Sequence, residues 1–309
     1  MNTFKNILVQ VESHDESHRA LETATRLAMA NGARLKLVDV IPDFGWPARL
    51  VMSGYERMIE SLTSAKGDHL KKLAKAAADL GIDVSVKLLE GRSSVGIIRE
   101  VLRDGHDLVI RSSRGTKSRS ATFFGTTSKR LLRKCPCPVL LVKAGSVSDC
   151  RRVVAAVDAT PADDAHAVLN KTILQLAESM CGEAECVIDV VHAWDIYGES
   201  ILKEHMRTEE FEELQRRTEA ETERLVDELI KPFGMGVGQA NVHVIHGDPA
   251  SVIPQFIKTT AADLLVLGTI ARTGISGLLM GNTAEQILNG VECSVLAVKP
   301  PGFVSPVHL

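Results

Sequence analysis

The chain has 309 residues, 45% hydrophobic and 24% charged, with a formal net charge of −3 at pH 7. That composition is ordinary for a globular protein and long enough for about two domains of roughly 150 residues. The small net charge gives no electrostatic case for nucleic acid or an anionic membrane surface, and no apolar run approaches the roughly 20 residues of a spanning helix.

Met1 runs almost directly into an expected strand without signal-peptide composition, so a cytoplasmic location is expected. That strand is Asn6 to Glu12. Ser13 or a neighbour is placed to cap a helix carrying Ala20, Leu21, Ala24, Leu27 and Ala28 on one face, and Gly32 ends it. Arg34 to Ile41 reads as a second strand, followed by an irregular loop bearing Phe44-Gly45-Trp46-Pro47. An amphipathic helix from Tyr55 to Leu80, a strand from Ile82 to Leu89 and a helix entered through Gly91-Arg92-Ser93 come next. Asp107 to Arg111 is the fourth strand, Thr126 to Lys134 a helix, and Val139 to Lys143 the fifth strand. The alternation predicts an α/β fold, a doubly wound parallel sheet with helices on both faces.

After a polar linker, Gly145 to Cys150, the pattern repeats. Strands are expected at Arg152–Asp158, Cys186–His192, Asn241–His246, Asp263–Leu267 and Val295–Lys299. The extra length of this half falls in the Glu- and Arg-rich region from Tyr197 to Lys231, read as solvated helix. The two halves share a register. Asp107 matches Asp263, Ser112 matches Gly268, Gly115 matches Ala271, Gly125 matches Gly281 and Thr127 matches Thr283, each pair 156 positions apart. The same spacing relates Gly91 to Gly247, Cys137 to Cys293 and Lys143 to Lys299. This is duplication of a whole domain, with boundaries expected at 1–145 and 150–303. The apolar edge strands Val139–Val142 and Val295–Val298 invite pairing with each other, which would make an intrachain pseudo-dimer; a higher oligomer stays open.

Five strands in this alternation predict the order 3-2-1-4-5, and ligands in such sheets bind where the winding reverses, between strands one and four. That sets Asp158 beside Leu267 and Gly268, and Glu12 beside Ser112. A carboxylate there can accept from ribose hydroxyls, while a small-residue loop entering a helix N-terminus offers N–H groups to phosphate. In another reading Asp158 only caps the next helix. Gly281 is expected to be a close-approach or positive-φ position; Arg272 or Arg114 could contact a phosphate, although solvation is the commoner role for a loop Arg.

On these residues each half resembles the universal stress protein family, and the whole chain resembles its tandem, E-type bacterial members. The family motif Gly-x2-Gly-x9-Gly-Ser/Thr falls on Gly268, Ala271, Gly281 and Asn282, followed by Thr283, and on Ser112, Gly115, Gly125 and Thr126, followed by Thr127. The family's acidic position falls on Asp158 and Glu12, and its adenine-side position on Ala193 and Val40. The resemblance implies a stress-response regulatory protein with sites for ATP or another adenine nucleotide. The departures at Ser112, Ala271 and Asn282 imply sites that are degenerate and unequal.

No G-x-S-x-G, H-E-x-x-H or G-x4-G-K-[ST] pattern is present. His14 and His18 could share a helix face but lack a third metal ligand, and His243 and His246 should face opposite ways along a strand. The six cysteines form no C-x-x-C pair and are expected to be reduced and mostly buried. Three readings follow: a nucleotide-responsive regulatory protein, a slow nucleotide hydrolase, or a scaffold that takes an unidentified protein or apolar ligand through Phe44–Pro47 and the helices after strand two.

Overall fold

The structure is a computed structural model. It describes residues 3–12, 18–43, 54–113, 124–143, 150–160, 163–181, 185–269 and 280–309. In the first half, β1 (Asn6–Gln10), α1 (Arg19–Asn31), β2 (Arg34–Ile41), α2 (Tyr55–Ala78), β3 (Val84–Glu90), α3 (Ser93–Asp104), β4 (Leu108–Ser112), α4 (Thr126–Lys134) and β5 (Val139–Val142) follow in turn. The second half has β6 (Arg152–Ala156), α5 (Asp164–Met180), β7 (Val187–Trp194), α6 (Glu199–His205), α7 (Thr208–Ile230), β8 (Val242–His246), α8 (Pro249–Thr260), β9 (Leu264–Gly268), α9 (Asn282–Gly290) and β10 (Ser294–Val298). Strand ends move by one or two residues from the sequence reading. Ser13 lies outside the described residues, and His18 holds the N-cap position of α1 in a left-handed conformation without a side-chain cap.

The strands form one ten-stranded sheet in the order β3-β2-β1-β4-β5-β10-β9-β6-β7-β8. Each half therefore has the expected 3-2-1-4-5 order. Apolar residues in the central strands alternate between two cores, as a sheet covered on both faces requires. One face packs α1, α2, α5 and α7, the other α3, α4, α8 and α9. In α7 only Phe211, Thr222, Val226 and Ile230 are buried, while Arg217 and Arg224 make i,i+4 ion pairs with Glu213 and Glu228 on its outer side. The Glu/Arg-rich insertion is thus a solvated amphipathic helix.

The two halves join through β5 and β10, which pair antiparallel with Leu140 opposite Leu296 and Leu141 opposite Val295. All four side chains are buried. Pairing satisfies two edges that would otherwise be open ladders, and it makes the expected pseudo-dimer. Around the seam Arg133 pairs with Glu285 and Lys129 Nζ donates to Asn289 Oδ1 at 3.2 Å. Lys299 Nζ donates to Leu132 O in the first half and to Thr269 Oγ1 in the second.

Duplication kept one polar cluster but reversed its chemistry. In the first half the fully buried Glu100 carboxylate is met by Lys36 at 2.9 Å, Lys87 at 2.7 Å and Arg103 at 2.7 Å. Burial works against its charge, but bonds from Lys87 and Lys36 hold it below the usual carboxylate range. On the matching rungs of the second half stand Asp189 and His243, 2.8 Å apart, with Arg152 Nε 2.9 Å from Asp189. His246 points the other way along the strand, to Glu199 at 3.0 Å and the Trp194 ring.

The cysteine expectation needs one correction. Cys181, at the end of α5, and Cys186, just before β7, form a disulfide with Cα atoms 5.5 Å apart. Cys135, Cys137, Cys150 and Cys293 are free, and all but Cys150 are fully buried. Spacing alone could not reveal the bond, because five positions of separation fit a thiol pair as well. Closing so short a loop restricts the unfolded chain by about 2 kcal/mol. Denaturant melts of Cys186→Ser should show that loss under oxidising conditions and match the wild type in reductant.

Candidate functional site

The winding reverses between β1 and β4 and between β6 and β9. Gln10 pairs with Arg111 in the first half, and Ala156 pairs with Leu267 in the second. The ladder continues past the strand ends, with Val11 N donating to Val38 O at 2.8 Å and Val157 N to Val191 O at 3.0 Å. Val11 and Val157 are buried in the α1/α5 core. By alternation, Glu12 and Asp158 fall on the opposite face, the one covered by α4 and α9.

In the second half this face has an apolar floor. Leu267 lies in the core, with Ala156 and Ala193 packed against it. Asp158 follows two residues after Ala156, and the β6/β7 register carried past the strand end sets it level with Ala193. The peptide of Asp158 is clamped from both sides by Asn170 of α5, whose Oδ1 accepts from its N–H at 3.0 Å and whose Nδ2 donates to its carbonyl at 2.6 Å. His192 Nδ1 lies 3.1 Å from Val157 O and 3.3 Å from Ala159 N. The Asp158 carboxylate accepts from Thr160 N at 3.2 Å. The N-cap of α5 is instead Asp163, which accepts from His166 N, so the helix-capping reading of Asp158 does not hold.

Thr269 O accepts from Gly281 N at 3.0 Å, which ties the start of α9 to the end of β9. Asn282 and Thr283 open α9 behind Gly281, where no side chain caps the helix. Thr126 and Thr127 open α4 in the same way behind Gly125. Such first-turn N–H groups favour an anion. Gly281 has φ −59° and ψ 141°, which corrects the positive-φ expectation: any residue adopts that backbone. Gly115, Ala271 and Arg272, with Arg114, His14 and Phe44–Pro47, lie outside the described residues. Among the described residues no group of three His, Cys, Asp or Glu side chains is arranged to hold a metal.

Gly268 is required for packing. A Cβ there would lie 2.8 Å from Leu169 Cδ2 of α5, on the side away from the crevice. The first buried position of α1 is the small Ala20, and Ser112 replaces the glycine in that half. Gly268→Val should therefore cost about 1–3 kcal/mol by overpacking. Adding Leu169→Ala should recover part of it, a non-additivity that urea melts of the double-mutant cycle would read.

The first half differs at the floor. Arg111 takes the place of Leu267, and its Nη2 lies 2.7 Å from Glu12 Oε1. Its Nε donates to Ser112 O at 3.3 Å. Val40 is buried beside them. Arg111 escaped notice as a site residue, although the lone charge in L-V-I-R was its signal.

The duplicated switch point can be compared with known proteins. The sequence profile of the Universal stress protein family matches residues 3–143 and again 150–299. The chain belongs to the universal stress protein family. It is a tandem member, 29% identical over 316 residues to Universal stress protein E of Escherichia coli, covering 100% of this chain and 98% of that one. Universal stress protein E of Photorhabdus laumondii is 28% identical, covering 99% and 98%. Among solved structures, a putative universal stress protein from Pseudomonas aeruginosa matches with TM-score 0.74 and 26% identity, covering 97% of this chain and 94% of that one. Asn170 and Leu169, which position Asp158 and Gly268 in this universal stress protein, carried no signal in the sequence.

Proposed function

We propose that this universal stress protein is a cytoplasmic stress-response regulator, built of domains 1–145 and 150–303, that binds ATP or another adenine nucleotide at the β6/β9 switch point. The observation that carries the reading is the meeting, on one face of the sheet, of an apolar floor, a carboxylate and a helix N-terminus. The adenine lies against the partly buried Ala193, with Leu267 in the core behind it, the Asp158 carboxylate accepts from ribose hydroxyls, and the phosphates face the first N–H groups of α9. Asn282 supplies an amide where the family motif has a hydroxyl. A lost hydrogen bond to a charged phosphate costs about 1.5–3 kcal/mol, so binding falls in the weak range and follows nucleotide concentration.

We favour binding without turnover, and slow hydrolysis is the lesser reading. Phosphate release from ATP by the purified chain separates the two. A scaffold reading finds support in Tyr197 and Ile201, 98% and 63% exposed where the chain leaves β7. Equilibrium dialysis with ATP should show saturable binding that Asp158→Ala weakens about ten- to hundred-fold. Binding that survives both Asp158→Ala and Gly281→Val would place the nucleotide elsewhere.

A further inference from the structure

We propose that Cys181 and Cys186 are a reversible thiol-modification site, a couple that opens by exchange with small dithiols and closes by reaction with hydroperoxides while the chain stays folded. The proposal is independent of the nucleotide reading. Cys181 and Cys186 are bonded, whereas Cys135, Cys137, Cys150 and Cys293 are free. The bonded pair lies at the rim of the α1/α5 core, and both residues are half-buried, partly open to solvent. Cys135, Cys137 and Cys293 are buried. Burial also pushes the Cys150 and Cys293 thiols up to about 12, and the Cys135 thiol beside Cys137, with burial, raises that thiol too. A thiol held in its protonated form is a poor nucleophile toward a disulfide or a peroxide. Exposure and ionisation thus confine the chemistry to one pair.

The bond is not what holds its two elements in place. Ile173, Leu174, Ala177 and Met180 anchor α5 in the core. β7 lies inside the sheet between β6 and β8, and Val187 N donates to Arg151 O at 2.9 Å, next to Cys186. Breaking the bond leaves both elements packed, so the couple can cycle without unfolding. The end of α5 sets the direction of exchange. Cys181 is the C-cap, its N–H donating to Ala177 O at 3.1 Å. The negative end of the helix dipole disfavours a thiolate there, which makes Cys186 the better leaving group. A dithiol's thiolate attacks Cys181 Sγ, the S–S bond breaks, and its electron pair leaves on Cys186. The second thiolate of the dithiol then closes on the first sulfur and leaves as a cyclic disulfide, while Cys181 departs and takes a proton. In the return step Cys186 attacks a hydroperoxide oxygen, the O–O bond breaks, and water or an alcohol leaves after taking up a proton. The Cys181 thiol condenses with the resulting sulfenic acid, forming the S–S bond and releasing water. Two electrons pass from dithiol to hydroperoxide in each cycle.

The test is thiol alkylation of the full chain, counted by mass after unfolding in the alkylating agent. The chain treated with one equivalent of hydrogen peroxide should take four labels, one for each free cysteine. Dithiothreitol added to the folded chain should raise the count to six, with the circular dichroism spectrum unchanged. A second equivalent of peroxide, after the reductant is removed, should restore four. The lost labels should be those of Cys181 and Cys186, and they should disappear at least about tenfold faster than any other cysteine's. Folded Cys186→Ser should take five labels with or without dithiothreitol; Cys181→Ser serves if that variant does not fold. Six labels after peroxide would overturn the proposal. Four labels that persist in dithiothreitol until the chain unfolds would overturn it too, because the bond would then be a permanent staple. So would peroxide losses spread over the buried thiols.

Discussion

Leu296→Pro and Leu141→Pro are each expected to destabilise both halves together, in a single transition, by about 3 kcal/mol or more. β5 is not an edge: it pairs parallel with β4 on one side and antiparallel with β10 on the other. β10 is enclosed in the same way by β5 and β9. A proline in either strand removes a ladder donor in the interior of a ten-stranded sheet and forces its ring against a neighbour. The damage crosses the seam because Leu140 and Leu296 belong to one continuous core that also contains Ile110 and Val266. Differential scanning calorimetry with hydrogen exchange would read it. A variant that melts in two steps, with one half keeping wild-type protection, would mean that the halves are independent.

Lys299 supplies the second large effect, on pH dependence. The residue is 9% exposed, and its ammonium lies at the seam with neutral acceptors from each half and the Phe303 ring 5.1 Å away. Burial pushes its pKa down to about 8, from an ordinary 10.5. The folded chain thus binds fewer protons than the unfolded chain between those values, and this group's contribution rises with pH across the window. Below pH 8 the penalty is fully present; at 1.36 kcal/mol per unit it amounts to at most about 3 kcal/mol. The thiols of Cys150 and Cys293, pushed up to about 12 by burial, work in the opposite direction above pH 9. The clean quantity is therefore the stability of the wild type minus that of Lys299→Met, which should grow by up to about 3 kcal/mol between pH 7.5 and 10.5. A flat difference would show that Lys299 is charged and solvated at the seam.

The fold was legible because its signals are local. Buried strands such as Leu264–Leu267 read as unbroken apolar runs, Gly32 marks a helix end, and the duplication states the strand pattern twice. The seam was legible for a related reason: two short apolar strands at equivalent edges have few other ways to be covered. The switch point was legible as topology but not as side-chain chemistry. Asp158 and Gly268 could be set beside each other from topology alone, yet the reason for Gly268 is Leu169, which sits about a hundred positions away in sequence. Glu12 looked like a longer Asp158 until Arg111 was seen across the rung from Gln10. Pairings of that kind depend on side-chain direction after the sheet has closed. Gly281 shows the converse: of the two reasons offered for a motif glycine, positive φ fails, since its backbone is ordinary.

The central claim is that an adenine nucleotide occupies the second-half crevice against Ala193. A crystal structure of the full chain grown with ATP tests it most directly. The expected density has the ribose hydroxyls on the Asp158 carboxylate and the phosphates at the N–H groups of Asn282 and Thr283. Nucleotide density away from the second-half switch point, with none there, would contradict it.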